Sequence, residues 1–422
     1  MKSLQSIIFL IRLLIFYHTT ITPILTTSTS TSNSDFSPTA AVPQCIDYSD
    51  PLDFGKHIIK PCPNKARLKG SNTNFQNDLS SGNSSNMFVL QFTCGETNTT
   101  LCKKAKSAFE AAGKIITAAF IFKAPIVIDA NFLDLNDPRL LGAASPTRLM
   151  PIVSEDSVPR MYPQALVKQF QYSVHPDYSP TDILAKFNSG ADFWFQGDGP
   201  IGPQQSNFHT VILHELFHGL GFSSSYRDYF DLLLGQPSEG ITAFPMLDSN
   251  STNPTFNDPL KFSGFIETIF DKFIMILPDK SDPSGTKPLP ISYFTNQLNQ
   301  FGPLNTIFPN INVLTSQIMG SPQWKSVAQY LIKKATVANT FVFVPRGGTL
   351  ANATYLETNL KVYSSGSSIS HVSLAKYTNT NDFLMRYSLE SGVTIEDLII
   401  KGGNYSGGAI GPRLRAIMNS IG

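Results

Sequence analysis

The stretch whose residue types and spacing most clearly predict chemistry is His214-Glu215-Leu216-Phe217-His218. Residues i and i+4 of a helix lie on one face, about 6 Å apart along the axis. Two imidazoles in this arrangement can bind one tetrahedral zinc ion at about 2.1 Å each. Glu215 can then take a proton from a zinc-bound water, whose pKa the metal lowers to about 7. The pattern therefore predicts a zinc site that hydrolyses a polarised carbonyl compound.

A catalytic zinc site needs a third protein ligand, because such sites combine three side chains with one water. The remaining histidines are His18, His57, His175, His209 and His371. The first three lie upstream without a supporting pattern. His209 is about 140° round the same helix from His214 and is therefore poorly placed. His371, at the end of the sequence GSSISH, is left as the candidate.

A carboxylate is the rival third ligand. Residues 267–271 read E-x-x-x-D, within a stretch, 263–276, that we predict to be helical. This resembles the gluzincin arrangement, in which the glutamate, here Glu267, binds zinc and the aspartate, here Asp271, orients a histidine. The alternative is a helix with two acidic positions on its solvated face, which we favour.

The element that must position the histidine pair is a helix over residues 208–220. Apolar residues recur there at helical spacing, and Gly219 and Gly221 punctuate its end. Upstream, residues 103–121 predict a second helix, and residues 87–93, 125–132 and 191–198 predict strands. This mixture predicts an α+β architecture with a twisted sheet and a few long helices.

The first 25 residues are typical of a secretory signal peptide. Lys2 precedes an apolar run over residues 7–16 that only Arg12 interrupts. That run is about half of the roughly 20 residues that a transmembrane helix needs, so a membrane anchor is the less favoured alternative. We therefore expect a secreted, extracellular protein with no stable membrane span.

Cysteines and glycosylation sequons agree with export. The cysteines are Cys45, Cys62, Cys94 and Cys102. Four cysteines allow three pairings, and we expect nearest neighbours to pair because this closes short loops. A zinc site of four thiolates is the alternative, although the spacings contain no C-x2-C pair. Sequons for N-glycosylation occur at Asn83, Asn98, Asn250, Asn352 and Asn404.

The stretch 214–224, HELFHGLGFSS, resembles the active-site helix of metzincin metallopeptidases. Gly221 matches the glycine at which the chain leaves that helix. Most metzincins place the third ligand three residues later, where this chain has Ser224. The leishmanolysin-like branch instead delays the third histidine behind an insertion. Three further stretches of this chain resemble the pattern of that branch: SSISH at 367–371, FLM at 383–385 and GPRLRAIMNSIG at 411–422.

The resemblance covers roughly residues 87–422, with a gap over an insertion, and it implies roles for particular residues. His371 would be the third zinc ligand after His214 and His218. Met385 would be the Met-turn residue, an apolar floor beneath the metal. The implied fold is a metzincin-like zincin. Its N-terminal subdomain holds the sheet and the active-site helix, and its C-terminal subdomain holds the third ligand and the Met-turn.

Composition then suggests the domain boundaries. Residues 26–82 begin as a Ser/Thr-rich linker, and the part from 42 onwards could be a pro-segment or a small disulfide-tied arm. A cysteine of a pro-segment could block the zinc, which its pairing in a disulfide would prevent. Residues 83–422 form the expected metallopeptidase domain. Within it, the Pro-, Asn- and Ser-rich stretch 226–365 is interpreted as a long insertion.

The function that these observations predict is a secreted zinc endopeptidase with Glu215 as general base and one catalytic Zn²⁺. An inactive glycoprotein of the same fold, acting in binding or adhesion, is the main alternative. A zinc hydrolase that acts on non-peptide amides or esters is a third. The formal net charge of +1 suggests no basic surface for nucleic acid. We expect a protein or peptide substrate and a monomeric enzyme.

Overall fold

The computed structural model describes residues 43–53, 57–62, 86–137, 140–172, 175–234, 238–249, 257–278, 287–300 and 304–422. The predicted signal peptide, residues 1–25, lies outside the described residues, as does much of the predicted linker and pro-segment, 26–82. The described part combines several sheets with helices, which confirms the α+β class.

The strands are β1 (Gln44–Tyr48), β2 (His57–Pro61), β3 (Phe88–Cys94), β4 (Ile126–Leu133), β5 (Gly142–Pro146), β6 (Arg148–Val153), β7 (Pro159–Pro163), β8 (Ile183–Asn188), β9 (Phe193–Trp194), β10 (Ser206–Asn207), β11 (Phe244–Ser249), β12 (Leu260–Ile266), β13 (Ile274–Ile276), β14 (Leu289–Pro290), β15 (Thr306–Phe308), β16 (Phe341–Phe343) and β17 (Thr354–Tyr355). The helices are α1 (Thr99–Ala119), α2 (Gln164–Phe170), α3 (Phe208–Gly219), α4 (Tyr229–Leu234), α5 (Ile291–Asn299), α6 (Ile311–Gly320), α7 (Pro322–Lys334), α8 (Leu374–Tyr377), α9 (Ile395–Lys401) and α10 (Pro412–Ile421).

The sheet that supports the candidate site has the strand order β3-β4-β8-β5. Its first three strands run parallel, and β5 adds to its edge in the antiparallel direction. On β4, every second residue from Ile126 to Phe132 is buried, because alternate side chains of a strand point to opposite faces. Helices α1 and α3 contact this sheet and each other. The sheet and the two helices therefore form one layered support for the site.

An aromatic cluster fixes the start of α3 on the sheet. The Phe208 ring lies edge-on to three phenylalanines of the layers beneath it, with ring centroids 5.4–6.1 Å apart. These are Phe109 of α1, Phe132 of β4 and Phe187 of β8. Such pairs contribute about 0.5–1.5 kcal/mol each beyond the burial of their area. The many phenylalanines of this chain thus hold the helix that carries the histidines.

The described residues form four further sheets, with strand orders β2-β1-β6-β7, β10-β9, β11-β12-β15 and β14-β13-β16-β17. The hairpin of β1 and β2 pairs with β6 through Ile46 and Asp47. Asp47 also forms an ion pair with Arg148 of β6, with Nε and Oδ1 2.5 Å apart. The described part of the segment 42–82 is therefore a hairpin paired into a sheet of the protein.

Most predicted elements are confirmed. The strands over 87–93 and 125–132 are β3 and β4, and the helices over 103–121 and 208–220 are α1 and α3. The strand predicted over 191–198 is reduced to the two residues of β9.

The helix predicted over 263–276 is wrong. The chain forms β12 up to Ile266, then a turn with one 3-10 helix, Asp271–Phe273, and then β13. Gly264 has a φ of 108°, which interrupts any helix, and the flanking Phe262 and Phe265 bury their rings from a strand.

Both expected disulfides are present. Cys45 pairs with Cys62, and Cys94 pairs with Cys102. All four cysteines lie in the described part and are paired, so neither a four-thiolate zinc site nor a blocking thiolate can form without reduction. Among the described residues, no helix has the length and apolarity that a bilayer crossing requires.

Candidate metal centre

Three histidine side chains converge on one point. The Nε2 atoms of His214, His218 and His371 lie 3.1 Å from one another in all three pairs. A tetrahedral ion with nitrogen ligands at about 2.0–2.1 Å would hold those nitrogens about 3.3–3.4 Å apart. A metal ion could be held by a group of three or more His, Cys, Asp or Glu side chains. Among the described residues, these three histidines form such a group. The described structure therefore brings together the three histidines that the sequence predicted as ligands.

The tautomer of each histidine ring is set by the hydrogen bond that its Nδ1 atom makes. The Nδ1 atoms of His214, His218 and His371 lie 2.7, 2.7 and 3.1 Å from the carbonyl oxygens of Leu384, Phe222 and Ser367. A carbonyl can only accept, so each Nδ1 carries the proton and each Nε2 presents a lone pair. Three lone pairs directed at one another repel unless a cation lies between them. This donor set, with each ring held by a backbone carbonyl, is the usual environment of metal-binding histidines.

Burial keeps the three rings neutral. Desolvation lowers the pKa of His214 to about 4, and only the bond to the Leu384 carbonyl opposes this. Desolvation and the neighbouring His214 lower the pKa of His218 to about 3. Burial and the two other rings lower the pKa of His371 well below its usual value. Neutral imidazoles are the metal-binding form, so the site favours a bound cation over protons.

Helix α3 places His214 and His218 on one face, as their spacing predicts. Its N-cap is Asn207, whose side-chain oxygen accepts the Thr210 N–H at 2.9 Å. The chain leaves the helix at Gly221, whose φ of 107° suits glycine. A Cβ there would lie 2.7 Å from Cγ of Pro163. The tight exit carries Phe222 back along the helix, where its carbonyl accepts the His218 Nδ1–H.

Glu215 is fixed against the edge of the sheet. Its Oε2 accepts the backbone N–H of Ala144 on β5 at 3.0 Å. Burial raises the pKa of this carboxyl to about 8, which the Ala144 bond opposes only in part. Glu215 directly follows His214, the first histidine of the cluster, on α3. A group with a pKa near neutrality can both take and return a proton.

His371 is positioned by strand-like pairing with a segment that sequence analysis missed. The N–H of Glu357 donates to the His371 carbonyl at 2.8 Å, and the N–H of Ile369 donates to the Glu357 carbonyl at 2.9 Å. Ile369 has a φ of 53°, which is rare for a β-branched residue and indicates local backbone strain. The buried Glu357 carboxylate also accepts the N–H of Leu374 at 2.7 Å. Glu357 is a single acidic residue in a polar segment, and no sequence pattern indicates that it positions His371.

Met385 lies next to the third histidine through the backbone. The N–H of Val372 donates to the Met385 carbonyl at 2.8 Å, and the Met385 side chain is buried. The preceding residue, Leu384, supplies the carbonyl that accepts from His214. The 383–385 segment thus connects the first and third histidines. Its role as a floor beneath a metal stays a prediction.

Glu267, the rival third ligand, does not join the histidines. Its Oε2 accepts from Arg160 Nε at 3.0 Å and from Ser292 Oγ at 2.7 Å, and its Oε1 accepts from Thr295. Both carboxylate oxygens therefore have partners: Oε2 forms a buried ion pair with Arg160, and Oε1 accepts the Thr295 hydroxyl. Residues 260–273 form a strand end and a turn, not the predicted helix. Glu267 therefore does not have the position that a zinc ligand on such a helix would have.

Asp271 instead stabilises the chain beyond the helix exit. Its buried carboxylate accepts the hydroxyls of Ser224 and Ser225, each at 2.6 Å, and the N–H of Thr268 at 2.9 Å. The Ser224 N–H in turn donates to the hydroxyl of Ser370, the neighbour of His371, at 3.2 Å. Ser224, where the short metzincin pattern has its third ligand, thus links Asp271 to the loop of the delayed histidine.

The other histidines lie apart from the cluster. His209 is buried and its Nε2 has no hydrogen-bond partner among the described atoms. His175 stacks on Tyr178, and His57 lies edge-on to Phe244. His18 lies outside the described residues.

Comparison with known proteins places the chain in a family. Residues 45–422 match the family described as SPBPB7E8-like, so the chain belongs to it. A relative in Schizosaccharomyces pombe, named uncharacterized protein PB7E8.01, is 28% identical over 380 residues. That match covers 82% of this chain and 64% of the relative, so the chain spans less than two thirds of the relative's length. No solved structure matches the chain.

Proposed function

We propose that this member of the SPBPB7E8-like family is a secreted zinc-dependent endopeptidase of metzincin type. The observation that carries the proposal is the convergence of three Nε2 lone pairs, each ring held by a backbone carbonyl, on the helix that also carries Glu215 and on the loop of His371. His214, His218 and His371 would hold the ion. The histidine geometry suits several divalent metals, and zinc is proposed because tetrahedral three-histidine sites with an open position are typical of catalytic zinc.

The chemistry follows from the positions of the chain's own groups. A zinc ion in the site would supply a Lewis acid that polarises the scissile carbonyl and lowers the pKa of its water to about 7. Glu215 would take a proton from the attacking water as the water oxygen bonds to the scissile carbonyl carbon, and would return that proton to the leaving amine as the C–N bond breaks. The Ala144 N–H keeps the Glu215 carboxyl facing the cluster through both transfers. The three Nδ1–H groups stay bonded to carbonyls and hold the rings still.

The position of Glu215 on a sheet edge supports a peptide as substrate. Among the described strands, β5 pairs with β8 alone, and its Ala144 N–H points to Glu215 and away from β8. Apart from the Ala144 N–H, which Glu215 occupies, the outward backbone groups of an edge strand can pair with an extended peptide, which adds as a further strand. A peptide bound in this way would run beside both Glu215 and the histidines. A non-peptide amide or ester would gain nothing from such an edge.

Two observations support secretion. Two disulfides persist mainly in oxidising compartments. The three sequon asparagines within the described residues, Asn98, Asn352 and Asn404, are all exposed, where a glycosylating enzyme could reach them. The sequons at 83 and 250 lie outside the described residues. An inactive, adhesive glycoprotein would share these features, but it would have no use for a carboxyl held at position 215.

The test is Glu215→Gln in the purified secreted protein. A glutamine keeps the bond to Ala144 but cannot take a proton, so cleavage of an unfolded protein substrate should fall by about 10²–10⁴-fold. Zinc content should stay the same. Glu110→Gln, an exposed carboxyl on α1, is the matched control and should keep full activity. Full zinc-dependent cleavage by Glu215→Gln would contradict the proposal, and zinc binding without cleavage by the wild type would favour the adhesive alternative.

A further inference from the structure

A buried arginine closes the 383–385 segment, whose carbonyls serve His214 and the N–H that follows His371. The Nε–H of Arg386 donates to the Phe383 carbonyl at 2.9 Å, and the backbone N–H of Arg386 donates to the same carbonyl at 3.3 Å. Each peptide unit is planar, and neighbouring units turn only about their shared Cα atom. Fixing the Phe383 carbonyl therefore restricts the direction of the next carbonyl, which accepts from His214.

The same guanidinium also reaches the helix that follows His371. Its Nη1–H donates to the Thr378 hydroxyl at 2.7 Å. Thr378 is the C-cap of α8, and its hydroxyl donates in turn to the carbonyl of Leu374, the first residue of that helix, at 2.8 Å. Arg386 thus connects the turn that holds the first histidine to the helix that begins just after the third.

A carboxylate holds the guanidinium in its plane. Arg386 is 1% exposed, and its Nη1 and Nη2 atoms lie 3.0 and 3.2 Å from Oε1 and Oε2 of Glu390. Hydrogen bonds from Arg386 lower the pKa of the Glu390 carboxyl, which favours its charged form. A bidentate pair of this kind fixes the orientation of the guanidinium as well as its charge. The bonds of Arg386 to Phe383 and Thr378 therefore have a fixed direction.

A lysine could not replace this arginine. Its ammonium group carries the same charge, but all of its donors lie on one nitrogen at the end of a flexible stem. The partners of Arg386 lie on separate nitrogens of the fork, with Phe383 at Nε, Thr378 at Nη1 and Glu390 at both Nη atoms. A lysine at this position would keep the ion pair and lose the geometry.

We propose that Arg386, oriented by Glu390, is a positioning residue of the metal centre that holds the Leu384 carbonyl against His214 and the loop of His371 beside it. This inference rests on the proposed metal-binding function, and Arg386 itself would touch neither metal nor substrate. Groups that orient metal-binding histidines typically contribute about 10–100-fold to metal affinity. Loss of the Arg386 fork should therefore weaken zinc binding by about this factor.

The experiment measures the Kd for zinc of the full chain by competition with a chromophoric chelator. Arg386→Lys should raise this Kd by about 10–100-fold. Arg160→Lys is the matched control, because Arg160 is equally buried and ion-paired, with Glu267, apart from the histidines. It should lower the melting temperature and leave the Kd unchanged. Glu390→Gln removes a partly exposed charge and should raise the Kd less than Arg386→Lys does; it replaces Arg386→Lys in the comparison if that variant does not fold.

Cobalt gives a readout that a merely structural role would not move. The visible absorption bands of bound Co²⁺ report the geometry of its ligands, and in the wild type they should be those of a tetrahedral ion. Arg386→Lys should shift or weaken these bands because the His214 ring is no longer held, and Arg160→Lys should reproduce the wild-type spectrum.

The outcomes separate this inference from the proposed function. Wild-type zinc affinity and cobalt bands in Arg386→Lys would overturn the positioning role while the metal centre stands. An equal loss of zinc affinity in Arg160→Lys would also overturn it, because the effect would then be general destabilisation. A wild type that binds neither zinc nor cobalt would overturn the metal centre and this inference together.

Discussion

Replacing Glu215 by glutamine should stabilise the metal-free protein above pH 5, although it removes the proposed catalytic base. Burial raises the pKa of this carboxyl from 4.5 to about 8 in the folded chain. The unfolded chain therefore releases the proton near pH 4.5 and the folded chain near pH 8. Between these values the unfolded state binds fewer protons, so the free energy of unfolding falls as the pH rises. Glutamine does not ionise, so the free energy of unfolding of Glu215→Gln does not fall in this way.

The magnitude follows from the size of the shift. One pKa unit corresponds to about 1.36 kcal/mol, so the full shift would cost about 4 kcal/mol at pH 7.5. Glu215 is partly exposed. Because solvent reaches it, we expect about 2–4 kcal/mol. A bound cation would favour the carboxylate and reduce the difference, so the metal must first be removed with a chelator.

The assay is urea unfolding of the metal-free wild type, Glu215→Gln and the control Glu110→Gln at pH 5, 6, 7 and 8. The wild type and the control should lose stability across this range relative to Glu215→Gln, and the differences should be smallest at pH 5, close to the unfolded-state pKa of 4.5. If wild type and Glu215→Gln ran parallel from pH 5 to 8, the carboxyl would not be held in the buried environment described, and the reasoning would be refuted.

Three further predictions concern the surroundings of the site. Asp271→Ala should lower the free energy of unfolding by about 3–5 kcal/mol in urea titrations, because its carboxylate accepts five hydrogen bonds from Ser224, Ser225 and Thr268. A loss below about 1 kcal/mol would contradict this. Glu267→Ala should also lower the free energy of unfolding, but by less, because the buried Arg160 keeps only the partly exposed Asp156 as a charged partner, and its zinc content should equal that of the wild type; loss of zinc at unchanged stability would restore Glu267 as a ligand. Replacing Cys45 and Cys62 by serine opens a 17-residue loop and should lower the melting temperature by the equivalent of about 3 kcal/mol; an unchanged melting temperature would show that the hairpin does not need its disulfide.

The local parts of the site could be predicted from the sequence because one helix determines them. The i, i+4 spacing fixes His214 and His218 on one face, and Gly221 marks the exit that only a positive φ allows. The strand β4 was predictable because its β-branched run follows Pro125 and ends at polar residues, and β3 because it is a short run of mainly apolar residues. These signals depend on neighbours within a few residues, which is the range over which sequence patterns are informative.

The long-range parts could not be predicted from spacing alone. His371 was identified through a resemblance, and what positions it is the backbone of Glu357, for which hydrogen bonding leaves no sequence pattern. The stretch 263–276 was predicted to be helical because its apolar residues can be fitted to a helical period. The tertiary pairing of β12 between β11 and β15 overrides that period. The favoured interpretation, two acidic positions on a solvated helix face, was wrong, because Glu267 and Asp271 are both buried. The rival role of Glu267 as a ligand also depended on that helix.

Resemblance to metzincins stays a prediction, since family membership and the S. pombe relative name no activity. What the described residues add is a physical reason for it. The Nε2 lone pairs of the three neutral imidazoles repel one another unless a cation lies between them. The carbonyls of Leu384, Phe222 and Ser367 accept the Nδ1 protons, so each Nε2 atom is left without a proton. The central claim is therefore a statement about metal binding that can be measured before any substrate is known.

The most direct test is the metal content of the purified protein, for the wild type and for His371→Ala. We predict about one zinc per wild-type chain. If structural zinc sites owe about 10–16 kcal/mol to four ligands, loss of one ligand should cost about 3–4 kcal/mol, or 10²–10³-fold in affinity. The variant should therefore lose its zinc on dialysis against a weak chelator that the wild type withstands. Zinc retained equally by both proteins, or bound by neither after reconstitution, would contradict the three-histidine centre.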